Sequence, residues 1–236
     1  MNTQTTRKVT NMYKLTRTVA VAAVIAGLLL VGSDVQAQLV GYWNAANPAN
    51  SGTTVEDLSN SNYDMEIQGA VVDNGDFWTF PQTSGVFIQG TGDESIFDFD
   101  TDIAAGAGNG DPFTVVALFD LNNNGDNFPV LISKDDGNFT GWSVAPRNDN
   151  NNYDIYMQPG TNQSRMYHRF AHSSGQALFI WHHDGTGMLS GNQAFENGSA
   201  AAENQQVGNG LNGSILNNDP IRIGGNPVTG SSSNHR

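Results

Sequence analysis

The sequence predicts an all-β protein built from two stacked antiparallel sheets. Helical periodicity is nearly absent after the first 37 residues, and short apolar or alternating runs occur instead, for example at 113–121 and 176–183. Clusters of Asn, Gly, Asp and Ser separate these runs. Such residues favour turns because they bond their own backbone or tolerate left-handed conformations. Short strands separated by frequent turns are typical of a β-sandwich.

The apolar runs predict twelve strands. They cover 39–44, 65–68, 77–80, 85–89, 113–121, 128–133, 141–145, 153–157, 165–171, 176–183, 193–196 and 221–224. In the strand that begins at Phe113, alternation places Val115 and Phe119 on one face. The other face carries Val116 and Leu118. Because both sets are apolar, this strand is predicted to be buried on both sides.

The first 37 residues have the organisation of an export signal. Four basic residues precede an apolar run of 14 residues at 19–32, and Val35-Gln36-Ala37 matches a small-x-small cleavage site. A membrane-spanning helix needs about 18 or more apolar residues, so no stable membrane insertion is expected after cleavage. The sequence therefore predicts a signal peptide at 1–37, one domain at 38–236, and a secreted or cell-surface location.

Charge and cysteine content narrow the possible partners. Cleavage of the signal would leave six basic and 22 acidic residues, a net charge of −16. A surface this acidic repels nucleic acid, whose binding requires Lys and Arg to neutralise phosphates. It suits a cation such as calcium, although solubility alone also explains the charge. The chain has no cysteine, so the core must be stable without disulfides.

Several segments occur in an order that is typical of one fold family. In chain order they are Val40-Gly41-Tyr42-Trp43, Gly52-Thr53-Thr54-Val55-Glu56-Asp57, Phe97-Asp98-Phe99, Phe113-Thr114-Val115-Val116-Ala117-Leu118, Leu131-Ile132-Ser133-Lys134-Asp135-Asp136-Gly137 and Gly141-Trp142-Ser143-Val144. This order resembles successive strands of LamG-like, concanavalin A-like jelly-roll domains. The resemblance implies an antiparallel two-sheet jelly-roll sandwich outside the cell. It also implies a role in carbohydrate binding, adhesion or attachment to polysaccharide, often with calcium at the rim.

The resemblance also predicts that the domain is truncated at its C-terminus. The family closes with an apolar strand after the segment that matches 221–226, and this sequence ends at Arg236. The domain is therefore expected to lack its last strand. Because terminal strands of jelly rolls pair with each other, Leu39–Trp43 would be left as an unpaired edge that is prone to aggregation.

One segment matches the beginning of a calcium-binding loop. Asp120, Asn122, Asn124 and Asp126, with Gly125, fit the first positions of the pattern D-x-[DN]-x-[DN]-G. Hard cations require several oxygen ligands arranged by a tight turn. The twelfth position is Leu131 and not the bidentate Glu, which excludes an EF-hand. An isolated calcium loop and a plain hairpin turn both remain open.

Aromatic residues beside an Asn-rich loop suggest a sugar platform. Pyranose rings stack on exposed aromatic faces, and amide side chains bind their hydroxyls. Trp142, Tyr153 and Tyr156 are the candidate rings, and Asn150 and Asn152 are the candidate hydroxyl ligands. The alternative for Trp142 is a place in the hydrophobic core.

Catalysis has less support in the sequence. Glycosidases need two carboxylates about 5 to 10 Å apart. The chain has only five Glu residues, and none occurs in the Glu-x-Asp-x-x-Glu string of laminarinase-type enzymes. A lyase reading would use Tyr167, His168, Arg169 and His172. Alternation places Tyr167 and Arg169 on one face of their strand and His168 on the other, so the four do not converge.

Together these observations predict a secreted carbohydrate-binding or adhesion module. Its partner would be an extracellular glycan or surface polymer, with calcium as a candidate cofactor. The alternatives are a polysaccharide-degrading enzyme of the same fold, either a glycosidase or a lyase, and a purely structural surface domain.

Overall fold

A computed structural model describes most of the chain after the predicted signal peptide. The described residues are 39–59, 61–80, 85–91, 97, 99, 111–121, 130–135, 140–147, 152–159, 166–172, 175–208, 210–211 and 213–224. The predicted signal peptide lies outside them. The chain divides into two units, Met1–Leu39 and Val40–Arg236, and the description below concerns the second. Within the described residues, no helix has the length and apolar character needed to cross a membrane.

The described residues form fifteen strands and no α-helix, which confirms the all-β prediction. The strands are β1 (Thr54–Val55), β2 (Met65–Gln68), β3 (Val72–Asp73), β4 (Trp78–Thr79), β5 (Phe87–Gly90), β6 (Phe113–Leu121), β7 (Ile132–Asp135), β8 (Thr140–Arg147), β9 (Asn152–Pro159), β10 (Met166–Ala171), β11 (Gly175–His183), β12 (Asn192–Glu196), β13 (Ser199–Ala200), β14 (Glu203–Val207) and β15 (Arg222–Ile223). A short 3-10 turn at Leu189–Gly191 precedes β12.

The strands are arranged in two antiparallel sheets and a hairpin. Among the described residues, the large sheet has the order β1-β2-β5-β15-β7-β8-β9-β10-β14. The small sheet has the order β13-β12-β11-β6, and within the described ranges β3 pairs with β4 alone. The strand β15 is the last of the described strands in sequence, yet it lies in the middle of the large sheet between β5 and β7.

Aromatic side chains fill the space between the two sheets. Trp142 of β8 lies 5.9 Å from Trp181 of β11, measured between ring centroids. Tyr153 of β9 lies 4.3 Å from Phe179 of β11. Each of these four residues is at most 1% exposed. Contacts between rings on opposite sheets show that the sheets pack face to face as a β-sandwich, and each aromatic pair stabilises this packing by about 0.5–1.5 kcal/mol beyond area burial.

The outward face of β6 differs from the prediction. Alternation is observed, because Val115 is buried while Val116 and Leu118 are 37% and 55% exposed. The expectation that this strand is buried on both sides is therefore wrong. Only one face of the small sheet packs on the core, as is common in antiparallel sheets.

The segment at 39–44 also differs from the prediction, because it forms no strand. Side-chain hydrogen bonds hold it in place instead. The backbone N–H of Tyr42 donates to Asp57 Oδ1 over 2.9 Å, and Trp43 Nε1 donates to the carbonyl oxygen of Tyr63 over 2.8 Å. The expected unpaired edge at Leu39–Trp43 is thus not formed, and the outermost described strands of the large sheet are β1 and β14.

A buried lysine attaches the last described segment to β7. The Nζ of Lys134 donates to the carbonyl oxygens of Asn217 and Asp219, each over 2.9 Å. In return, Asn217 Nδ2 donates to the carbonyl oxygens of Lys134 and Thr140. We call these four hydrogen bonds the clamp. Gly141 is required beside the clamp, because its φ is +133° and a Cβ there would overlap the carbonyl oxygen of Lys134. The clamp therefore fixes the position of the segment that continues into β15.

Asp57 accepts four hydrogen bonds and organises the chain around it. The donors to its carboxylate are the backbone N–H groups of Tyr42, Ser59 and Tyr63 and the hydroxyl of Ser59. Partial burial raises the pKa of Asp57, but these hydrogen bonds outweigh burial and hold the pKa below 3.8. The carboxylate therefore stabilises the fold at neutral pH.

We predict that Asp57→Asn lowers the free energy of unfolding at pH 7 by about 1–3 kcal/mol, because an amide cannot accept all four bonds. The folded pKa is depressed, so the contribution of Asp57 is present above the unfolded pKa near 3.8 and is lost as the pH falls through the folded pKa. Urea denaturation at pH 7 and at pH 3 measures both effects. Asp111→Asn, at an exposed position, is the matched control. Equal stability of Asp57→Asn and the unmodified protein at pH 7 would contradict this role.

Candidate functional site

The large sheet has a second face, opposite the aromatic core, which we call the outer face. Strand register aligns side chains across it, because Ser133 pairs with Ser143, Ser143 with Tyr156, and Tyr156 with Tyr167. On the other side of Ser133 the same row continues through Arg222 and Gln89. Across the described strands this row, which we call the outer row, contains Thr54, Glu66, Gln89, Arg222, Ser133, Ser143, Tyr156, Tyr167 and Val207.

One end of the outer face carries a hydrogen-bonded cluster around Asp154. Arg169 makes a bidentate ion pair with Asp154, with Nε 2.7 Å from Oδ1 and a terminal nitrogen 3.0 Å from Oδ2. The hydroxyls of Tyr156 and Tyr167 each donate to the same carboxylate over 3.1 Å. The other terminal nitrogen of Arg169 donates to Gln205 Oε1 over 3.0 Å. We call these five residues the outer cluster.

The outer cluster is electrically balanced and rigid. The side chain of Asp154 is fully buried, and that of Arg169 is 15% exposed. Because the pair is bidentate, its geometry is well defined and the two charges cancel. The guanidinium of Arg169 also lies 5.0 Å from the ring centroid of Tyr167, whose ring is 5.0 Å from that of Tyr156. These contacts hold the half-buried Tyr156 ring in a fixed position.

The structure corrects part of the predicted sugar platform. Trp142 is 1% exposed and its Nε1 donates to the carbonyl of Phe97 over 2.8 Å, and Tyr153 is fully buried. Neither ring can stack on a ligand. The physical reason is strand alternation, because Tyr153 and Tyr156 are three positions apart and so lie on opposite faces of β9. Tyr156 alone of the three predicted rings lies on the outer face.

The predicted amide ligands are placed differently from each other. Asn152 lies on the outer-face side of β9 but is buried, and its Oδ1 accepts a hydrogen bond from Asn204 Nδ2. Asn150 lies outside the described residues. The loop that was expected to bring amides beside the rings is therefore represented by Asn152 only.

The predicted calcium loop is largely outside the described part of the chain. Asp120 is exposed near the end of β6, whereas Asn122, Asn124 and Asp126 are not among the described residues. Within the described ranges, no group of three or more His, Asp or Glu side chains lies close enough together to hold a metal ion. The calcium loop stays a prediction.

The residues of the lyase reading separate as the alternation predicts. Tyr167 and Arg169 belong to the outer cluster, whereas His168 packs against Phe170 with ring centroids 4.1 Å apart. Burial lowers the pKa of His168 and outweighs the opposing effect of Glu203. His168 is therefore neutral at pH 7 and faces away from Tyr167.

A second polar cluster, which the sequence did not reveal, lies at the edge of the core. The hydroxyl of Tyr153 is 2.7 Å from His172 Nδ1, and that nitrogen is 3.1 Å from Glu196 Oε2. Burial and the nearby carboxylate of Glu196 raise the pKa of Tyr153 well above its usual value. Tyr153 therefore keeps its proton at neutral pH.

The sequence also gave no indication of Arg222 and Ser133 as neighbours, because only the pairing of β15 with β7 brings them together. The sequence did contain an indication that Asp154 has a particular role. A carboxylate between Tyr153 and Ile155 within a predicted strand must either point away from the core or find a cation. The partner Arg169 lies in the adjacent strand, opposite Asp154 in the register.

Comparison with solved structures finds a similar fold. No family model and no curated protein matches the sequence. A solved structure of botulinum neurotoxin type C, whose cell entry is described as dependent upon interaction with two ganglioside molecules, is similar with a TM-score of 0.53 and 15% identity. The similarity covers 81% of this chain, which spans 44% of that one. At this identity the likeness shows a shared β-rich fold.

Proposed function

We propose that this chain is a secreted or cell-surface carbohydrate-binding module of the LamG-like, concanavalin A-like kind, and that it binds an extracellular glycan on the outer face. The observation that carries the proposal is the Tyr156 ring, which is half-buried on that face and braced by Asp154 and Tyr167. Sugar rings stack on such aromatic faces, and neighbouring hydroxyl and amide groups bind their hydroxyls.

The charge of the outer face supports an uncharged ligand. Asp154 neutralises Arg169, so the outer cluster has no excess positive charge. The chain without the predicted signal carries a net charge of −16. An acidic polymer or a nucleic acid would be repelled by the protein and would find no basic patch in the outer cluster.

The structural neighbour and the N-terminal sequence support the same proposal. The toxin with a similar fold depends on gangliosides for cell entry, and gangliosides carry oligosaccharide headgroups that include acidic sialic acids, so this likeness supports glycan binding but not the absence of charge on the ligand. A β-sandwich of this kind is thus compatible with glycan recognition, although fold alone does not determine function. The predicted signal peptide at 1–37 would place the domain outside the cell, where such glycans occur.

We predict that Tyr156→Ala abolishes retention on a glycan array while the protein stays folded, because this ring is only half-buried. Tyr156→Phe keeps the ring and is expected to retain binding. Phe77→Ala is the matched control, since Phe77 is 58% exposed in the turn between β3 and β4, which pair with each other and not with the described strands of the large sheet. Loss of binding in Phe77→Ala with full binding in Tyr156→Ala would move the site to that hairpin.

Measurements of stability distinguish the role of Tyr156 from that of Trp142, the other aromatic residue predicted for the platform. We expect Trp142→Ala to lower the free energy of unfolding by about 3–5 kcal/mol, because it removes a large buried ring and leaves a cavity. Urea denaturation of Trp142→Ala and Tyr156→Ala measures the difference. Similar, small losses of stability in both variants would contradict the core position of Trp142.

Calcium is part of the proposal through the loop that begins at Asp120. A cation that binds only the folded protein raises its stability by mass action, by about 2.7 kcal/mol when its concentration is 100 times Kd. We predict a higher Tm in calcium chloride than in EGTA, and a smaller difference for Asp120→Asn. Identical melting curves in calcium and in chelator would remove calcium from the proposal.

A further inference from the structure

The small sheet also has a face that points away from the core. Strand register aligns five apolar side chains across β6, β11 and β12 on this face. They are Val116, Leu118, Leu178, Ile180 and Phe195. None of them belongs to the core cluster or to the partly buried side chains that pack against it. We call these five residues the apolar patch.

The apolar patch is in contact with solvent. Leu118 is 55% exposed and Val116 is 37% exposed, and the other three side chains are partly exposed. Their neighbours along β11, such as Phe179 and Trp181, are fully buried between the sheets, so the patch cannot turn inward without losing that packing. Single exposed apolar residues are normal on protein surfaces, whereas a contiguous apolar patch marks an interaction site.

The charge of this face differs from that of the chain as a whole. Without the predicted signal the chain carries a net charge of −16. Among the described outward positions of β6, β11, β12 and β13, Asp120 is the only carboxylate, and none of these positions holds Lys or Arg. Two copies of so acidic a protein repel each other through most orientations, and they repel least where their uncharged faces meet.

The same charge argues against other occupants of the apolar patch. A charged protein partner finds no complementary charges around the patch, and an anionic membrane surface is repelled by the net charge of the chain. A second copy presents an identical uncharged aliphatic surface. Related by a two-fold axis, the two copies contact each other through the same residues.

The size of the face predicts how tightly two copies bind. From Thr114 to Asp120 the face extends about 20 Å along β6, and across the four strands it extends about 14 Å. This corresponds to roughly 300 Å² of flat surface on each copy, below the area of a standard stable interface. Two such sheets pack face to face at a separation of about 10 Å. We therefore expect a weak, reversible association.

We propose that the apolar patch is a docking surface for a second copy of this chain, and that two copies associate back to back through their small sheets. This inference does not depend on glycan binding. The outer faces of the two large sheets stay free in such a dimer, because each lies on the opposite side of its own sandwich. The two outer faces then point in opposite directions.

Sedimentation equilibrium of the exported protein tests the association directly. We expect the weight-average mass to rise from the monomer value toward twice that value between about 10 µM and about 1 mM. A mass that stays at the monomer value over this range would overturn the inference.

Leu118→Asp tests the location of the contact. The substitution places a carboxylate in the apolar patch of both copies, so we expect Kd of the dimer to rise at least tenfold. Because Leu118 is more than half exposed, Tm should be unchanged. Val72→Asp is the matched control, since it adds the same charge at a position of β3 that is 48% exposed. Equal Kd values for the two variants would contradict the proposed surface.

NMR spectra of the unmodified protein locate the contact without any substitution. Backbone amide resonances that shift with protein concentration should belong to β6, β11 and β12. Shifts confined to the large sheet would overturn the inference. Binding to phosphatidylcholine vesicles that Leu118→Asp abolishes, with no self-association, would assign the apolar patch to a lipid surface and would also overturn it.

A bivalent function follows if the proposed glycan binding also holds. A dimer with two outer faces pointing apart should cross-link beads coated with a glycan that the array identifies, and monomeric Leu118→Asp should bind the beads without cross-linking them. The two failures are distinguishable. Self-association without bead binding would remove the glycan proposal alone, and bead binding by a protein that stays monomeric would remove the dimer alone.

Discussion

The two-residue strand β15 is the constraint on which the large sheet depends. It pairs with β5 on one side and with β7 on the other, and so joins β1-β2-β5 to the five strands from β7 to β14. So short a strand contributes few backbone hydrogen bonds. The ammonium of Lys134, bonded to two carbonyls of the preceding segment, compensates by fixing that segment on β7. Closing the long loop between β14 and β15 costs conformational entropy, and the hydrogen bonds of Lys134 help to offset this cost.

The two faces of the large sheet carry different kinds of side chain. Large rings such as Trp142 and Tyr153 fill the gap between the layers, where they lose almost all contact with water. Short and polar side chains, including Ser133 and Ser143, occupy the other face. Apolar packing on the inner face stabilises the fold, and the outer face carries hydrogen-bonding groups.

Two arginines of the outer face lie beside carboxylates. Arg169 is paired with Asp154, and Arg222 is close to Asp219, so each of these two guanidinium groups has a carboxylate partner. In a chain that is strongly acidic overall, these pairs act as rigid, neutral hydrogen-bonding units. Such units suit ligands rich in hydroxyl groups better than ligands that carry charge. Around Tyr156 the outer face therefore combines fixed geometry with balanced charge.

The sequence by itself determined the fold class and the relative faces of residues within one strand. Alternation along β10 separated Tyr167 and Arg169 from His168, and the same rule, applied to β9, would have separated Tyr153 from Tyr156. Tertiary structure decided which face became the core, and so buried Trp142 and left Val116 exposed. It also brought Arg222 to Asp135, 87 residues away in the chain. Periodicity is a local property of the chain, whereas the pairing of distant strands depends on how the whole core packs.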